Sequence, residues 1–289
     1  MKRNILLLFT FFACITVQGQ TPVRLVDLRS EHLDRPIGLD NPVPRLSWRM
    51  EDGRQGAVQT SWRIVVDEDS LNVVNGCGRM WDSGKNDSRN QLVAYAGKKL
   101  QPFTRYYWKV ICSDMEYKET ASPVSYLETG MMGMQHWQGA WIGDGKDIHY
   151  GPAPYFRKEF KTGKKVKSAR AYIAAAGLYE LYINGEKIGD HCLAPLYTRF
   201  DRRNLYVAYD VTSQLQNGDN AIGVLLGNGW YNHQSKAVWD FDRAPWRNRP
   251  TFCLDLRITY TDGSVETIPT DLSWRTASGA ITFNSIYTG

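Results

Sequence analysis

The feature that most constrains this chain is a period-two alternation of apolar and polar side chains. RLSWRM (45–50), SWRIVVD (61–67), RYYWKVIC (105–112), RAYIAA (170–175), YELYIN (179–184), NLYVAYD (204–210), AIGVLL (221–226) and FCLDLRITY (252–260) are all short and rich in β-branched or aromatic residues. Successive side chains of a strand point to opposite faces, so each run can bury one face. Gly, Asn, Asp or Pro punctuates them, and no amphipathic helix longer than a turn or two can be drawn. The pattern predicts an all-β chain built of sandwiches.

Two halves are expected. In the first, 21–133, Leu100-x-Pro102-x-Thr104-x-Tyr106-x-Trp108-x-Val110 resembles the corner of a fibronectin type III/Ig-like sandwich, where a tyrosine hydroxyl returns to a nearby backbone group. MMGMQH (131–136) reads as a linker, and Trp137 opens the second half, 134–289. There YELYINGEKIGDH predicts a hairpin turning at Asn184-Gly185, a dipeptide that favours positive φ. Asp210 is placed to cap a short turn over Val211–Leu215, and Asn217-Gly218 reverses the chain into the strand ending at Leu225-Leu226. That order predicts a jelly-roll, galactose-binding-like β-sandwich.

Residues 1–20 stand apart. MKRN is followed by the apolar run ILLLFTFFACITV and by Val17-Gln18-Gly19, the order of a secretory signal peptide. The expectation is an exported protein, periplasmic or extracellular, with no membrane span. Removing Lys2 and Arg3 lowers the formal charge from +5 to +3, too mild to imply a nucleic-acid partner. KTGKKVK (161–167) contains no aromatic and reads as a solvated loop. Cys77, Cys112, Cys192 and Cys253 match no zinc motif, and the sequence leaves their disulfide state open.

The second half resembles the N-terminal β-sandwich of bacterial α-L-rhamnosidases, glycoside hydrolase family 78. The residues that carry the likeness are APYFRKEF (153–160), ARAYIAAAGLYELYINGEKIGDHCLAP (169–195), YTRFDRRNLYVAYDVTSQLQNGDNAIGVLLGNGWY (197–231) and RITYTDGSVETIPTDLSWRTASGAITFNSIYTG (257–289). PRLSWRM, MWDSGK and YYWKV resemble the module that precedes it in that family. A looser likeness to family 2 glycosidases rests on the NG hairpin and the DVT stretch. The resemblance implies a non-catalytic N-terminal part of an exported enzyme acting on rhamnose-containing glycans. Its partner would be a catalytic (α/α)₆ barrel that lies outside this sequence. A stand-alone carbohydrate-binding or adhesion module is the competing expectation. Asp201, Asp210, Asp240, Asp242 and Asp255 read as surface charges and turn caps, because a glycosidase pair must flank one sugar bond at a set separation.

Trp230, Tyr231, Trp239, Phe241 and Trp246 fall within 17 residues, interspersed with amides and carboxylates on a long loop, VWDFDRAPWRNRP (238–250). Flat rings suit apolar sugar faces, so Asn228, Trp230, Tyr231, Asp240 and Trp246 are the candidate substrate-binding residues. Packing, either at the interface with the following barrel or as closure of the core, is the alternative role for the same rings. No cofactor is required. The family resemblance adds calcium, with Asn184, Asp201 and Asn228 as candidate ligands because hard calcium takes six to eight oxygens. His191 and His233 are expected as surface or edge residues.

Overall fold

A computed structural model describes residues 22–234, 236 and 239–287. The signal-peptide reading of residues 1–20, part of the 238–250 loop and the end of the SIYTG motif lie outside them. The chain divides into two compact units. One comprises the chain up to Asp34, Val43–Lys98 and Tyr107–Ser125; the other comprises Arg35–Pro42, Lys99–Tyr106 and the chain from Tyr126 on.

The first unit is built on β1 (Arg24–Ser30), β2 (Arg45–Glu51), β3 (Ser61–Asp67), β4 (Trp81–Asp82), β5 (Leu92–Ala94), β6 (Arg105–Ser113) and β7 (Glu119–Ala121). A short helical turn, α1 (Ser70–Val74), starts where the Asp69 side chain accepts the Leu71 N–H. Two sheets form, ordered β1-β2-β5 and β4-β3-β6-β7. Ile64, Val66, Trp108 and Val110 are buried, each on a strand whose sequence alternated. Trp48 Nε1 donates to Gln59 Oε1 at 2.9 Å, so the indole is buried with its polar edge satisfied. Tyr106 is fully buried, and its hydroxyl accepts the Gln101 N–H at 2.8 Å, the expected corner.

After β8 (Ser125–Glu128), the second unit contains β9 (Pro154–Thr162), β10 (Val166–Ala176), β11 (Leu178–Ile183), β12 (Glu186–Lys187), β13 (Tyr206–Asp210), β14 (Gly218–Gly227), β15 (Thr251–Tyr260), β16 (Val265–Pro269) and β17 (Arg275–Ser278). Sheet β13-β10-β15-β16 faces sheet β12-β11-β14-β9-β17. Ala171, Ile173, Leu254, Leu256 and Ile258 from the first meet Phe156, Leu181, Ile222, Val224 and Leu226 from the second in one core. Burying one face of each sheet against the other is what the alternation requires. The hairpin turns as read, with Asn184 at φ 51° and Gly185 at φ 86°. Asp210 Oδ1 accepts the Thr212 N–H at 3.1 Å, starting the short 3-10 turn Thr212–Gln214.

Candidate functional site

β14 delivers the site. Ile222, Val224 and Leu226 point into the core, and the strand ends at Gly227 before Asn228-Gly229 turns the chain. Gly229 sits at φ 50°, where a side chain is strained, and a Cβ there would stand 3.0 Å from Leu178 Cγ, so Leu178 would have to give by a few tenths of an ångström.

Amides then lock the turn. The Asn228 N–H donates to Asn284 Oδ1 at 2.6 Å, and Asn228 Nδ2 donates to the Asn284 carbonyl at 3.0 Å. Asn232 Nδ2 donates to Asn228 Oδ1 and to the Ile148 carbonyl, at 3.2 and 2.9 Å. Arg247 Nε donates to Asn232 Oδ1 at 3.1 Å. Segments far apart in sequence are thereby pinned together, and Asn228 is buried with its amide committed to protein partners.

Around this lock lies a nest of rings. Half-buried Trp230 has its centroid 5.3 Å from Phe241, 5.4 Å from His233 and 6.4 Å from Tyr197. Trp246 joins through Phe241 at 6.0 Å, and Tyr231 packs on Phe200 at 5.2 Å, which in turn meets Tyr197. Trp230, Tyr231 and Trp246 are therefore gathered into one cluster, while Asp240 is exposed on its rim beside Trp239, which is 83% exposed. Trp239 and Asp240 are consecutive non-glycine residues at positive φ, 44° and 55°. Such backbone is sparsely populated and needs support from its surroundings.

His233 departs from its expected surface or edge position. It is 2% exposed, enclosed by Trp230, Phe241 and Tyr287, and neither ring nitrogen has a hydrogen-bond partner. Burial, and then the charge of Arg247, push its pKa below the usual histidine value, so the ring is neutral near pH 7. It therefore carries one N–H donor and one bare nitrogen acceptor. Asn284 Nδ2, Asp242 Oδ1 and Trp246 Nε1 also lack partners. Five of the eight buried, unpaired side-chain nitrogen and oxygen atoms among the described residues thus belong to this one region. Tyr197, Phe200, His233 and Asn284 were not among the candidates; YTRF and the terminal segment reach the site only through the fold.

The three candidate calcium ligands are not brought together. Asn184 Oδ1 accepts the Ala221 N–H near the start of β14, whereas Asn228 follows its far end. Asn228 lies seven positions along the chain from Ala221, about 23 Å at ~3.3 Å per residue, far beyond one coordination shell. Asp201 is paired with Arg199 Nε at 2.9 Å on a third segment. Among the described residues no group of three or more His, Cys, Asp or Glu side chains is arranged to hold a metal.

The remaining carboxylates have structural partners. Asp210 caps its turn and meets Arg170 at 2.8 Å. Asp255, its pKa raised by burial, accepts the Gln138 and Gly139 N–H groups, each at 2.8 Å, and so ties the entry of the unit to β15.

Residues 164–289 match the family model described as the alpha-L-rhamnosidase N-terminal domain, and residues 25–133 match the Rha78A-like, N-terminal immunoglobulin domain. The chain belongs with the N-terminal regions of α-L-rhamnosidases. An α-L-rhamnosidase of Formosa agariphila is 32% identical over 99% of this chain but only 33% of its own length. One from Alteromonas sp. is 30% identical over 88% of the chain and 29% of its own. The α-L-rhamnosidase structure from Dictyoglumus thermophilum superposes with a TM-score of 0.83 at 38% identity, covering 92% of this chain and 31% of that one. The chain spans about a third of the length of the curated relatives it matches. Its rhamnosidase-type sandwich carries the GNGWY turn at the rim just described. All four cysteines among the described residues are unpaired. None of the helices described is long and apolar enough to cross a membrane.

Proposed function

We propose that this chain is the non-catalytic N-terminal part of an exported α-L-rhamnosidase-like glycoside hydrolase, acting on rhamnose-containing glycans and offering the Trp230 cluster as a carbohydrate contact. The observation that carries the reading is the ordered pair of N-terminal domain matches across a chain that spans a third of its relatives. Export is supported by the charge, apolar run and small-residue order of residues 1–20. The fibronectin type III character of residues 21–133, within the Ig-like class, is supported by the Tyr106 corner. For sugar contact the support is chemical: half-buried rings sit beside amides and a carboxylate at the end of a sandwich, where loops commonly carry binding residues.

Two experiments test it. The reading frame downstream of Gly289 should continue into a helix-rich segment of several hundred residues; a stop codon there contradicts the enzyme reading and favours a stand-alone module. L-Rhamnose should quench tryptophan fluorescence of the purified chain with millimolar affinity, since one small sugar offers few contacts against the entropy lost on binding. Trp230→Ala should abolish the quench. An unchanged quench in that variant, or none in the parent with calcium added, contradicts the sugar contact.

A further inference from the structure

A cleft of about 720 Å³ lies within the second unit, walled by Met131, Met134, Trp137, Trp141, Phe200 and Tyr206. Small organic ligands occupy sites of about 300–1,000 Å³, so the cleft is large enough for one. Met134 is 76% and Trp141 43% exposed, which leaves much of this apolar wall open to an incoming molecule. Trp137 is held edge-on against Tyr206, with ring centroids 5.6 Å apart.

Arg202 and Arg203 line the same cleft and are exposed. Their turn is braced. Both backbone N–H groups donate to the Arg199 carbonyl, at 2.9 and 3.0 Å, and Asn204 Nδ2 donates to the Phe200 carbonyl at 3.2 Å. The two carboxylates on the cleft are already engaged. Asp201 pairs with Arg199 at 2.9 Å, and Asp40 accepts the Tyr206 O–H and the Met132 N–H, each at 2.7 Å. Among the described residues neither Arg202 nor Arg203 has an ion pair or a side-chain hydrogen bond. A solvated arginine on an open surface needs no partner, but here two adjacent guanidiniums stand on a concave wall of rings and thioethers.

The occupant's chemistry follows from that pairing. Guanidinium forks match a carboxylate through parallel hydrogen bonds, and tryptophan faces take flat rings. A free inorganic anion would use the arginines and leave the apolar wall wet. A neutral ring would cover the wall and leave the charges unused. We infer that the cleft is a binding site for a small aromatic carboxylate, its carboxylate held by Arg202 and Arg203 and its ring laid on Trp141 and Met134. Trp230, Tyr231 and Trp246 do not line this cleft, so the site stands independently of the carbohydrate contact.

The test is calorimetric titration of the full chain with naphthoate, with neutral naphthamide of the same shape, and with acetate. Naphthoate should bind at least about tenfold more tightly than either of the others, as charge-assisted bonds and ring burial act together. Added salt should weaken naphthoate binding and leave naphthamide unchanged. The double variant Arg202→Gln, Arg203→Gln should bring naphthoate down to the naphthamide level while melting as the parent does, because both side chains are exposed. Each single variant should lose part of that affinity, which keeps the test valid if the double variant unfolds. Trp141→Ala should weaken both aromatic probes several-fold, and Arg275→Gln, exposed on β17, should change nothing. Equal affinity for naphthoate and naphthamide, acetate binding as tightly as naphthoate, or full affinity in the arginine variants overturns the site. No binding of naphthoate at millimolar concentration overturns it as well.

Discussion

Asp144→Ala should be among the most damaging single substitutions in the second unit. Arg249 Nε lies 3.1 Å from Asp144 Oδ1 and 3.2 Å from Oδ2, and Nη2 reaches Oδ2 at 2.8 Å, a bidentate fork with both side chains only 6% exposed. Arg249 Nη1 also donates to the Tyr150 carbonyl at 2.7 Å, and Nη2 to the Pro152 carbonyl, so one guanidinium gathers the segment 144–152. That segment supplies the Ile148 carbonyl to Asn232, which links the ion pair to the amide lock. Removing the carboxylate strands a buried cation on two carbonyls, at a cost of about 3–5 kcal/mol. Glu159→Ala is the internal control: its pairing with Arg157 is 61% and 64% exposed, and such surface pairs contribute less than about 1 kcal/mol. Urea unfolding, followed through the transition of the second unit, measures both. Because Asp144→Ala and Arg249→Met remove the same pair, the double variant should be at least about 1 kcal/mol more stable than the sum of the single losses implies. An Asp144→Ala loss within about 1 kcal/mol of Glu159→Ala would refute the reasoning.

Three further outcomes follow. Burial pushes the Cys112 thiol up to about 12 and the Cys253 thiol up to about 11, so native alkylation near pH 8 should modify exposed Cys77 and Cys192 and spare that pair; rapid labelling of Cys253 contradicts its burial. Tyr106→Phe should destabilise the chain by about 1 kcal/mol through the lost bond to the Gln101 N–H, and an unchanged melting midpoint contradicts the corner. The Arg79 guanidinium beside Asp67 holds that buried carboxyl well below its ordinary range. The stability it contributes is complete above the unfolded carboxylate pKa of about 4 and is lost as pH falls toward the lower folded value. Asp67→Asn should therefore lower stability at neutral pH and flatten the acid limb of unfolding; an unaltered acid limb contradicts the assignment.

Strands with one buried face were legible because burial writes the period into the sequence: Ser61–Asp67 is β3 residue for residue. β9 was not read as a strand, since Arg157, Lys158, Glu159 and Lys161 interrupt PYFRKEFKT and only scattered rings mark its buried side. β17 has all four residues exposed and leaves no apolar signal at all. At the site, Trp230 to Trp246 could be found because the rings are near neighbours in the chain. His233 was visible but misread: a lone histidine gives no sign that rings will enclose it. Asn284 meets Asn228 across 56 residues, a pairing that only the docking of the chain's last segment creates. The calcium set failed for the same reason in reverse, because turns at the two ends of β14 look alike in sequence and lie a strand's length apart.

The most direct test of the central claim is the release of aryl alcohol from an aryl α-L-rhamnoside, measured for the purified chain beside the product of the extended downstream frame. The account predicts release by the longer protein and none above background by this chain. Sustained turnover by residues 1–289 alone would contradict it.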